Sequence, residues 1–333
     1  MAKRAVMVLV GSDSLLGREI RDIVATSAPE IDLRLIAADE EEHGILTRVG
    51  DEPAIVEELV ADSLAGARSL LLAGSTESNR KALGLAEEST AVVDLTYATE
   101  ERSDARLRAP LVESEPPEDA TALHVIAHPA AVALALFMRR IQAHDPIRRS
   151  VIQIFAPASE FGAAGVEELQ QQTVSLLSFK PLPQTIFDTQ LAFNLLASYG
   201  GEAPQSLEES ELRIERHLAS LLALPGEGEG APMPSLRLVQ APVFHGYSFS
   251  AWVEFHSSPG LEAMESALAF APIDVRGADF EPPTNVSQAG ETGITVGRIE
   301  PDRNEPEAFW FWLVADNLRL TADNAVAVAR QLV

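Results

Sequence analysis

The fold is decided by the first stretch of the chain, Ala5-Val6-Met7-Val8-Leu9-Val10-Gly11-Ser12-Asp13-Ser14-Leu15-Leu16-Gly17. Residues 5–10 form a continuous apolar run, which is typical of a buried parallel strand. A loop containing two glycines follows, and apolar positions then recur at helical spacing from Arg18 to Ala28. A strand, a glycine-containing loop and a helix in this order begin a dinucleotide-binding unit.

The pattern continues outward from this stretch to about residue 130. We predict strands at 33–37, 69–73, 91–95 and 122–127, and helices at 54–64 and 79–88. Strands that alternate with helices predict an α/β fold with a Rossmann-type, doubly wound parallel sheet.

From about residue 150 the sequence changes character. Longer strand-like stretches occur at 151–155, 235–255 and 309–314, and helical stretches at 163–178, 208–222 and 317–333. A chain of 333 residues is long enough for two domains. We therefore predict a second domain built on a larger sheet.

Charge and hydropathy restrict the classes of partner. The chain carries 25 Lys and Arg against 50 Asp and Glu, a net charge of −25. A field of that sign repels nucleic acid and anionic membranes, so we expect neither as a partner. No apolar run approaches the roughly 20 residues of a membrane span, and the run at 5–10 is too short for a signal peptide. We expect a cytoplasmic protein.

The glycine loop supplies the candidate cofactor-binding residues, which are Gly11, Ser12, Asp13, Ser14, Leu15, Leu16 and Gly17, with Gly74 after the third strand. A helix N-terminus attracts phosphate, but Asp13 places a negative charge nearby. Asp39 follows the second strand, where an acidic residue holds the ribose 2′-hydroxyl of NAD. It would repel the 2′-phosphate of NADP. Retained binding and a purely structural loop both stay open, and NAD is favoured over NADP if either is bound.

Several segments, in the right order, resemble the bacterial aspartate-β-semialdehyde dehydrogenase family. Residues 11–17 are similar to its Gly-Ala-Thr-Gly-x-Val-Gly loop, Ser159-Glu160-Phe161-Gly162 to its Ser-Gly-Ala-Gly region, and residues 191–195 to its Ile-Ala-Phe-Asn-Val segment. The resemblance implies a nucleotide-binding Rossmann-like domain at 1–130 and an α+β catalytic-type dimerisation domain with a mixed sheet at 131–313. It also implies a C-terminal helix at 314–333 that returns to the first domain, and a homodimer.

The resemblance also identifies positions where the family's chemistry is missing. In the family a cysteine in Asn-Pro-Asn-Cys attacks the semialdehyde, NADP takes the hydride and phosphate releases the acyl group. This chain has no cysteine, and the matching stretch is His128-Pro129-Ala130-Ala131, with Ala131 at the nucleophile position. The family's base histidine falls at Tyr247, its substrate arginine at Gln240, its orienting glutamine at Ala156 and its phosphate-binding arginine at Glu100.

Other residues offer little replacement for these groups. His245 is next to the base position, but on an alternating strand its side chain would point to the opposite face. His124 and His128 lie at the end of a predicted strand, so we predict no metal site. Ser159, Ser248 and Ser250 lack an evident His–Asp partnership.

These substitutions predict a catalytically inactive homologue with a binding, regulatory or scaffolding role. It would be a homodimer, or a heteromer with an active relative. Two alternatives are an NAD(P)-dependent oxidoreductase of altered chemistry, using Tyr247 or His245, and retained semialdehyde dehydrogenase activity in lysine, threonine and methionine biosynthesis. No cofactor is certain.

Overall fold

The computed structural model describes residues 5–116, 123–225 and 230–332. The chain forms two compact units, one of Met1–Ala127 with Thr321–Val333 and one of His128–Leu320. The boundaries placed from the sequence, 130/131 and 313/314, both lie inside the second unit.

The first unit is built on one sheet with helices on both faces. Its strands and helices are β1 (Ala5–Val10), α1 (Leu15–Ser27), β2 (Ile31–Ile36), β3 (Leu46–Val49), β4 (Glu52–Glu57), α2 (Ala61–Leu64), β5 (Ser69–Leu72), α3 (Thr76–Leu85), β6 (Ala91–Asp94), β7 (Ala105–Arg108) and β8 (Leu123–Ile126). The strand order is β3-β4-β2-β1-β5-β6-β8-β7. Every pairing is parallel except that of β3 with β4. The predicted doubly wound parallel sheet is confirmed.

Strand β1 lies between β2 and β5 and is buried on both faces. Met7 and Leu9 pack into a core cluster with Ile20 of α1, whereas Val8 and Val10 pack into a second cluster on the other face. This division follows from the alternation of side chains along a strand. It also explains why the sequence shows an unbroken apolar run.

The helix predicted at 54–64 is wrong. Residues 52–57 form β4, which pairs antiparallel with β3 and parallel with β2, and only Ala61–Leu64 is helical. The β3–β4 turn contains Gly50 at φ 58°. Pairing with strands elsewhere in the sequence overrode the local helical preference.

The second unit contains a mixed sheet and a layer of helices. Its elements are α4 (Pro129–His144), β9 (Ile147–Ala156), α5 (Gly162–Leu177), α6 (Leu207–Leu222), β10 (Ser235–Gln240), β11 (Tyr247–Phe255), α7 (Leu261–Leu268), β12 (Ile273–Arg276), α8 (Asn285–Gln288), β13 (Ile294–Pro301), β14 (Ala308–Ala315) and the start of α9 (Asn317–Gln331). The strand order is β10-β9-β11-β14-β13-β12. The outer pairs β10–β9 and β13–β12 are parallel and the inner pairs are antiparallel. The predicted mixed sheet is therefore confirmed.

Helix α4 is an element that the sequence analysis did not predict. It packs against α6, α7 and β9, and Phe137 meets Phe311 of β14 edge to face at 5.0 Å. Its residues from Pro129 to Met138 are all buried. Within the described ranges, no helix has the length and apolar character needed to cross a membrane.

Candidate functional site

The position aligned with the family's nucleophile lies in the first turn of α4. His128 is the N-cap, and its Nδ1 accepts a hydrogen bond from the Ala130 N–H at 3.2 Å. Pro129 occupies the first helical position, where its missing N–H costs nothing. Ala131 follows and is fully buried. Its methyl group offers no nucleophile.

Glu160 enters the same region from the 3₁₀ turn Ala158–Phe161, which follows β9. Two backbone hydrogen bonds hold this turn against the loop before β11: Ala158 N–H donates to Val243 O at 2.7 Å, and Ser159 N–H donates to Phe244 O at 2.9 Å. The turn therefore places the Glu160 carboxylate beside the first residue of β11, Tyr247.

The Glu160 carboxylate contacts both His128 and Tyr247, which lie in two of the segments matched to family motifs. Its Oε1 lies 2.8 Å from His128 Nε2, and its Oε2 accepts a hydrogen bond from the Tyr247 hydroxyl at 2.6 Å. Because His128 Nδ1 already accepts from Ala130, the ring proton lies on Nε2 and is donated to Glu160. The phenol and imidazole rings also meet edge to face at 5.9 Å. We call Glu160, His128 and Tyr247 the carboxylate cluster.

The carboxylate cluster is buried but electrostatically compensated. Burial by itself raises the pKa of Glu160, but His128, the Tyr247 hydroxyl and the charge of Arg213 together hold that pKa below its usual range. The Glu160 side chain is only 18% exposed. Hydrogen bonds to the charged form favour an ionised carboxylate. The Tyr247 hydroxyl is thus held as a hydrogen-bond donor to this carboxylate.

Gln240, aligned with the family's substrate arginine, is fully buried at the end of β10. Its Oε1 accepts from the Tyr199 hydroxyl at 2.7 Å, and its Nε2 donates to the carbonyl of Ala156 at 2.9 Å. Burial raises the pKa of Tyr199, and the negative charge of Glu160 adds to this. Gln240 and Ala156 therefore bond to each other and to neutral groups, and neither presents a positive charge to an anionic substrate.

Asn317, the first residue of α9, connects two loops of the site. Its Oδ1 accepts from the Gly246 N–H at 3.0 Å, and its side chain exchanges a hydrogen bond with the Ser159 hydroxyl. The Ser248 hydroxyl donates to Asn285 Oδ1 at 2.9 Å. Two of the serines considered from the sequence therefore bond to asparagines rather than to a histidine base.

His245 does not lie on an alternating strand as predicted, because β11 begins only at Tyr247. His245 lies in the preceding loop, next to Gly246 at φ 82°. The two histidines His124 and His128 also belong to different elements, since His124 lies in β8 and His128 caps α4. Among the residues that the structure describes, no group of three or more His, Asp or Glu side chains is placed to hold a metal ion.

Glu100, aligned with the family's phosphate-binding arginine, lies in a turn of the first unit after β6. The buried Asp94 carboxylate organises this turn by accepting hydrogen bonds from the backbone and hydroxyl groups of Thr96 and Thr99. The Glu100 N–H donates to Tyr97 O at 3.3 Å. The turn thus presents a carboxylate where the resemblance implies a cation.

The glycine loop of the first unit is held by its own hydrogen bonds. The N–H groups of Gly11 and Ser12 donate to Ile36 O at 3.1 and 3.2 Å, and that of Ser14 donates to Gly11 O at 3.2 Å. Ser14 is the N-cap of α1 and accepts from Gly17 N–H at 3.0 Å. Leu15 and Leu16 form the first turn of α1 and are half-buried. The backbone N–H groups of Gly11, Ser12, Ser14 and Gly17 are therefore engaged within the chain.

Comparison with known proteins agrees with this architecture. The model of the semialdehyde dehydrogenase dimerisation domain matches residues 140–320. The aspartate-semialdehyde dehydrogenase of Rickettsia bellii is 25% identical over 342 residues, covering 100% of this chain and 99% of the relative. The USG-1 protein homolog of Pseudomonas aeruginosa is 36% identical over 178 residues, covering 53% of this chain and 51% of the relative. The chain belongs to the semialdehyde dehydrogenase family.

Solved structures of aspartate-semialdehyde dehydrogenases share this fold. The structure of a probable aspartate-semialdehyde dehydrogenase from Pseudomonas aeruginosa superposes with a TM-score of 0.82 at 27% identity and covers 99% of this chain and 98% of that one. The fold is also shared by an aspartate semialdehyde dehydrogenase from Candida albicans that contains NADP, at a TM-score of 0.65 and 12% identity. At that identity the Candida albicans structure shows the shared fold alone.

Sequence reasoning identified Ala131, Tyr247 and Gln240 but missed Glu160 as a partner for any of them. His128 had been considered only as a metal ligand. One signal was available: the motifs depart from the family together, with Glu160 in place of a glycine, His128 in place of an asparagine and Tyr247 in place of the base. Three coordinated departures of this kind, which introduce a carboxylate, an imidazole and a phenol, indicate that the three side chains contact one another.

Proposed function

We propose that this protein is a semialdehyde dehydrogenase homologue without acylating dehydrogenase activity, and that it acts by binding, regulation or scaffolding. The observation that carries the proposal is the Glu160 carboxylate, which accepts hydrogen bonds from His128 and Tyr247 beside a buried Ala131. The region in which the family's chemistry would occur contains a closed hydrogen-bonded cluster instead.

The chemical argument begins with the covalent step. Thiolate attack on an aldehyde gives an adduct from which hydride leaves, and 333 residues without cysteine offer no thiolate. Tyr247, the candidate for an oxidoreductase of altered chemistry, donates its proton to Glu160. The anion-binding arginines are replaced by Gln240 and Glu100. The chain therefore lacks the nucleophile, and the positions of the base and of both anion-binding arginines hold residues that do not suit those roles.

The remaining role is an interaction between chains, and the second unit supports it. Among the aromatic and apolar residues of that unit, Leu191 and Phe309 lie in the core, whereas Trp310 is 43% and Phe193 65% exposed. The family match is to a dimerisation domain. We infer a homodimer, with a heteromer formed with an active relative as the regulatory form.

An activity assay tests the loss of catalysis. The full chain is mixed with aspartate semialdehyde, phosphate and either NADP or NAD, and reduced cofactor is followed by absorbance. We expect no turnover above the blank. A rate within about 100-fold of the ordinary range of roughly 1 to 1,000 per second would contradict the proposal.

One variant sharpens that assay. Ala131→Cys supplies the missing thiol but leaves Tyr247, Gln240 and Glu160 in place, so we expect it to remain inactive. Strong turnover from this single change would show that the other substitutions matter little. Light scattering at micromolar concentration tests the dimer, and a monomer there would contradict the inferred assembly.

A further inference from the structure

The acidic segment after β2 folds back onto the glycine loop of the first unit. Glu41 Oε1 accepts a hydrogen bond from the Asp13 N–H at 3.2 Å, and its Oε2 accepts one from the Ala38 N–H at 3.0 Å. One carboxylate thus connects the loop after β1 with the loop after β2.

The neighbouring Glu40 makes the equivalent contact on α3. Its Oε1 accepts from the Ser75 N–H at 3.1 Å, and its Oε2 accepts from the Ser78 hydroxyl at 3.3 Å. Ser75 is the N-cap of α3, so this carboxylate lies at the positive end of a helix. Glu41 therefore accepts from the glycine loop, and Glu40 accepts from the start of α3.

Two basic side chains around the loop are also engaged with acids. Arg18 forms a two-point contact with Asp13 at 3.1 and 3.0 Å, and Lys81 pairs with Asp39 at 3.0 Å. Asp39 was the residue expected to hold the ribose of NAD. Its carboxylate forms an ion pair with Lys81 instead.

The glycines of the loop do not require a ligand to explain them. A Cβ on Gly11 would lie 2.4 Å from Gly74 N, and a Cβ on Gly17 would lie 2.1 Å from Gly11 O. Real Cβ atoms do not approach backbone atoms this closely, so the packing of the loop itself demands glycine at both positions. The glycine spacing therefore does not indicate that phosphate is bound.

The residues present do not fit a dinucleotide. We propose that Glu40 and Glu41 are resident anions that hold the backbone donors a dinucleotide's phosphates would need, so that the chain excludes both NAD and NADP. The phosphates would have to displace two carboxylates, and the guanidinium of Arg18 beside the loop is already paired with Asp13. This inference is separate from the proposed loss of catalysis, because it concerns binding to the first unit alone.

The energetic balance at Glu41 agrees with this assignment. Burial raises the pKa of Glu41 above its ordinary value, the hydrogen bonds from Ala38 and Asp13 lower it, and the charges of Asp13 and Glu40 raise it further. An added phosphate would increase the same repulsion.

Calorimetric titration of the full chain with NAD, NADP and inorganic pyrophosphate tests the proposal. The variant is Glu40→Gln with Glu41→Gln, and the control is Glu42→Gln, which removes one charge from an exposed position in the same segment. We expect dissociation constants above about 1 mM for the wild-type chain and the control. The double variant should bind at least one probe about tenfold more tightly than the control, the change that about 1.4 kcal/mol gives.

Either of two results would overturn the proposal. The first is a wild-type dissociation constant below about 1 mM for NAD or NADP. The second is a folded double variant that binds all three probes less than about tenfold better than Glu42→Gln. If the double variant does not fold, amide resonances of the wild-type chain decide. Those of Asp13 and Ser75 should not move when NADP is added, and a saturable shift would defeat the proposal.

Discussion

Glu160 in the second unit and Glu41 in the first are both carboxylates that occupy places where the family's chemistry would need other groups, yet their surroundings differ. Glu160 accepts from two fully buried side chains, His128 and Tyr247. Glu41 is half-buried and accepts from two backbone N–H groups of surface loops. The hydrogen bonds to Glu160 are part of the packing of the second unit, whereas water can replace Glu41 as a hydrogen-bond acceptor. A carboxylate in the same formal role thus supports the fold in one place and excludes a ligand in the other.

Glu160→Ala should have the largest effect on stability. Removing the carboxylate leaves the His128 N–H and the Tyr247 hydroxyl buried without an acceptor, which costs about 3 kcal/mol of the free energy of unfolding. Urea denaturation followed by circular dichroism measures this difference. A loss below about 1 kcal/mol would place Glu160 in the same class as Glu41 and remove the contrast between them.

Gly17→Ala should have the next largest effect. Its Cβ would clash with Gly11 O and Ser12, and overpacking of this kind costs about 2 kcal/mol. Gly84→Ala is the matched control, since Gly84 also lies in a helix but nothing lies within 4 Å of its Cβ position. The control should be neutral or more stable by up to about 1 kcal/mol. Equal effects at the two glycines would contradict the assignment of the loop glycines to packing.

The stabilisation from Glu160 should depend on pH in one direction. The folded-state pKa of Glu160 lies below its unfolded value, near 4.3. Its contribution is therefore complete above the unfolded pKa and is lost as pH falls through the folded pKa. The difference in unfolding free energy between the wild-type chain and Glu160→Gln should be constant from about pH 5 to 7 and shrink below about pH 4. A difference that grows on acidification would show that Glu160 is protonated in the native protein.

Glu41→Gln should have the smallest effect on stability. A glutamine oxygen can still accept one of the two backbone hydrogen bonds, and solvent reaches the other donor. We expect a change within about 0.5 kcal/mol, the usual range for surface substitutions. Thermal unfolding of this variant beside Glu42→Gln measures it, and a loss near that of Glu160→Ala would show that the segment after β2 is structural.

The central parallel strands could be predicted because they are mostly buried. Strands β1, β2, β5 and β6 appear in the sequence as short apolar runs followed by turn residues. Strand β4 could not be recognised from its own residues, because most of them are exposed and it joins the sheet by pairing with β2, which is distant along the chain. Helix α4 was missed for the opposite reason: it is buried almost all round, so its sequence carries no amphipathic period.

The sequence alone predicted which catalytic groups of the family are missing from the candidate site, but not which contacts replace them. The sequence alone shows that Ala131 is not a nucleophile and that Tyr247 is a poor base. It does not show that Glu160, which is 32 residues from His128 and 87 from Tyr247 along the chain, reaches both. That contact depends on the 3₁₀ turn after β9 and on the loop before β11, and neither conformation follows from local propensity.

The carboxylate cluster also bears on whether the family's chemistry can return by mutation. Tyr247→His alone removes the hydroxyl that Glu160 uses, and Glu160→Gly alone leaves two buried donors without an acceptor. Ala131→Cys alone adds a thiol next to residues that do not activate it. We therefore expect each single reversion to lower stability or to gain nothing. Under selection that acts on one substitution at a time, this epistasis makes the three positions an evolutionary ratchet.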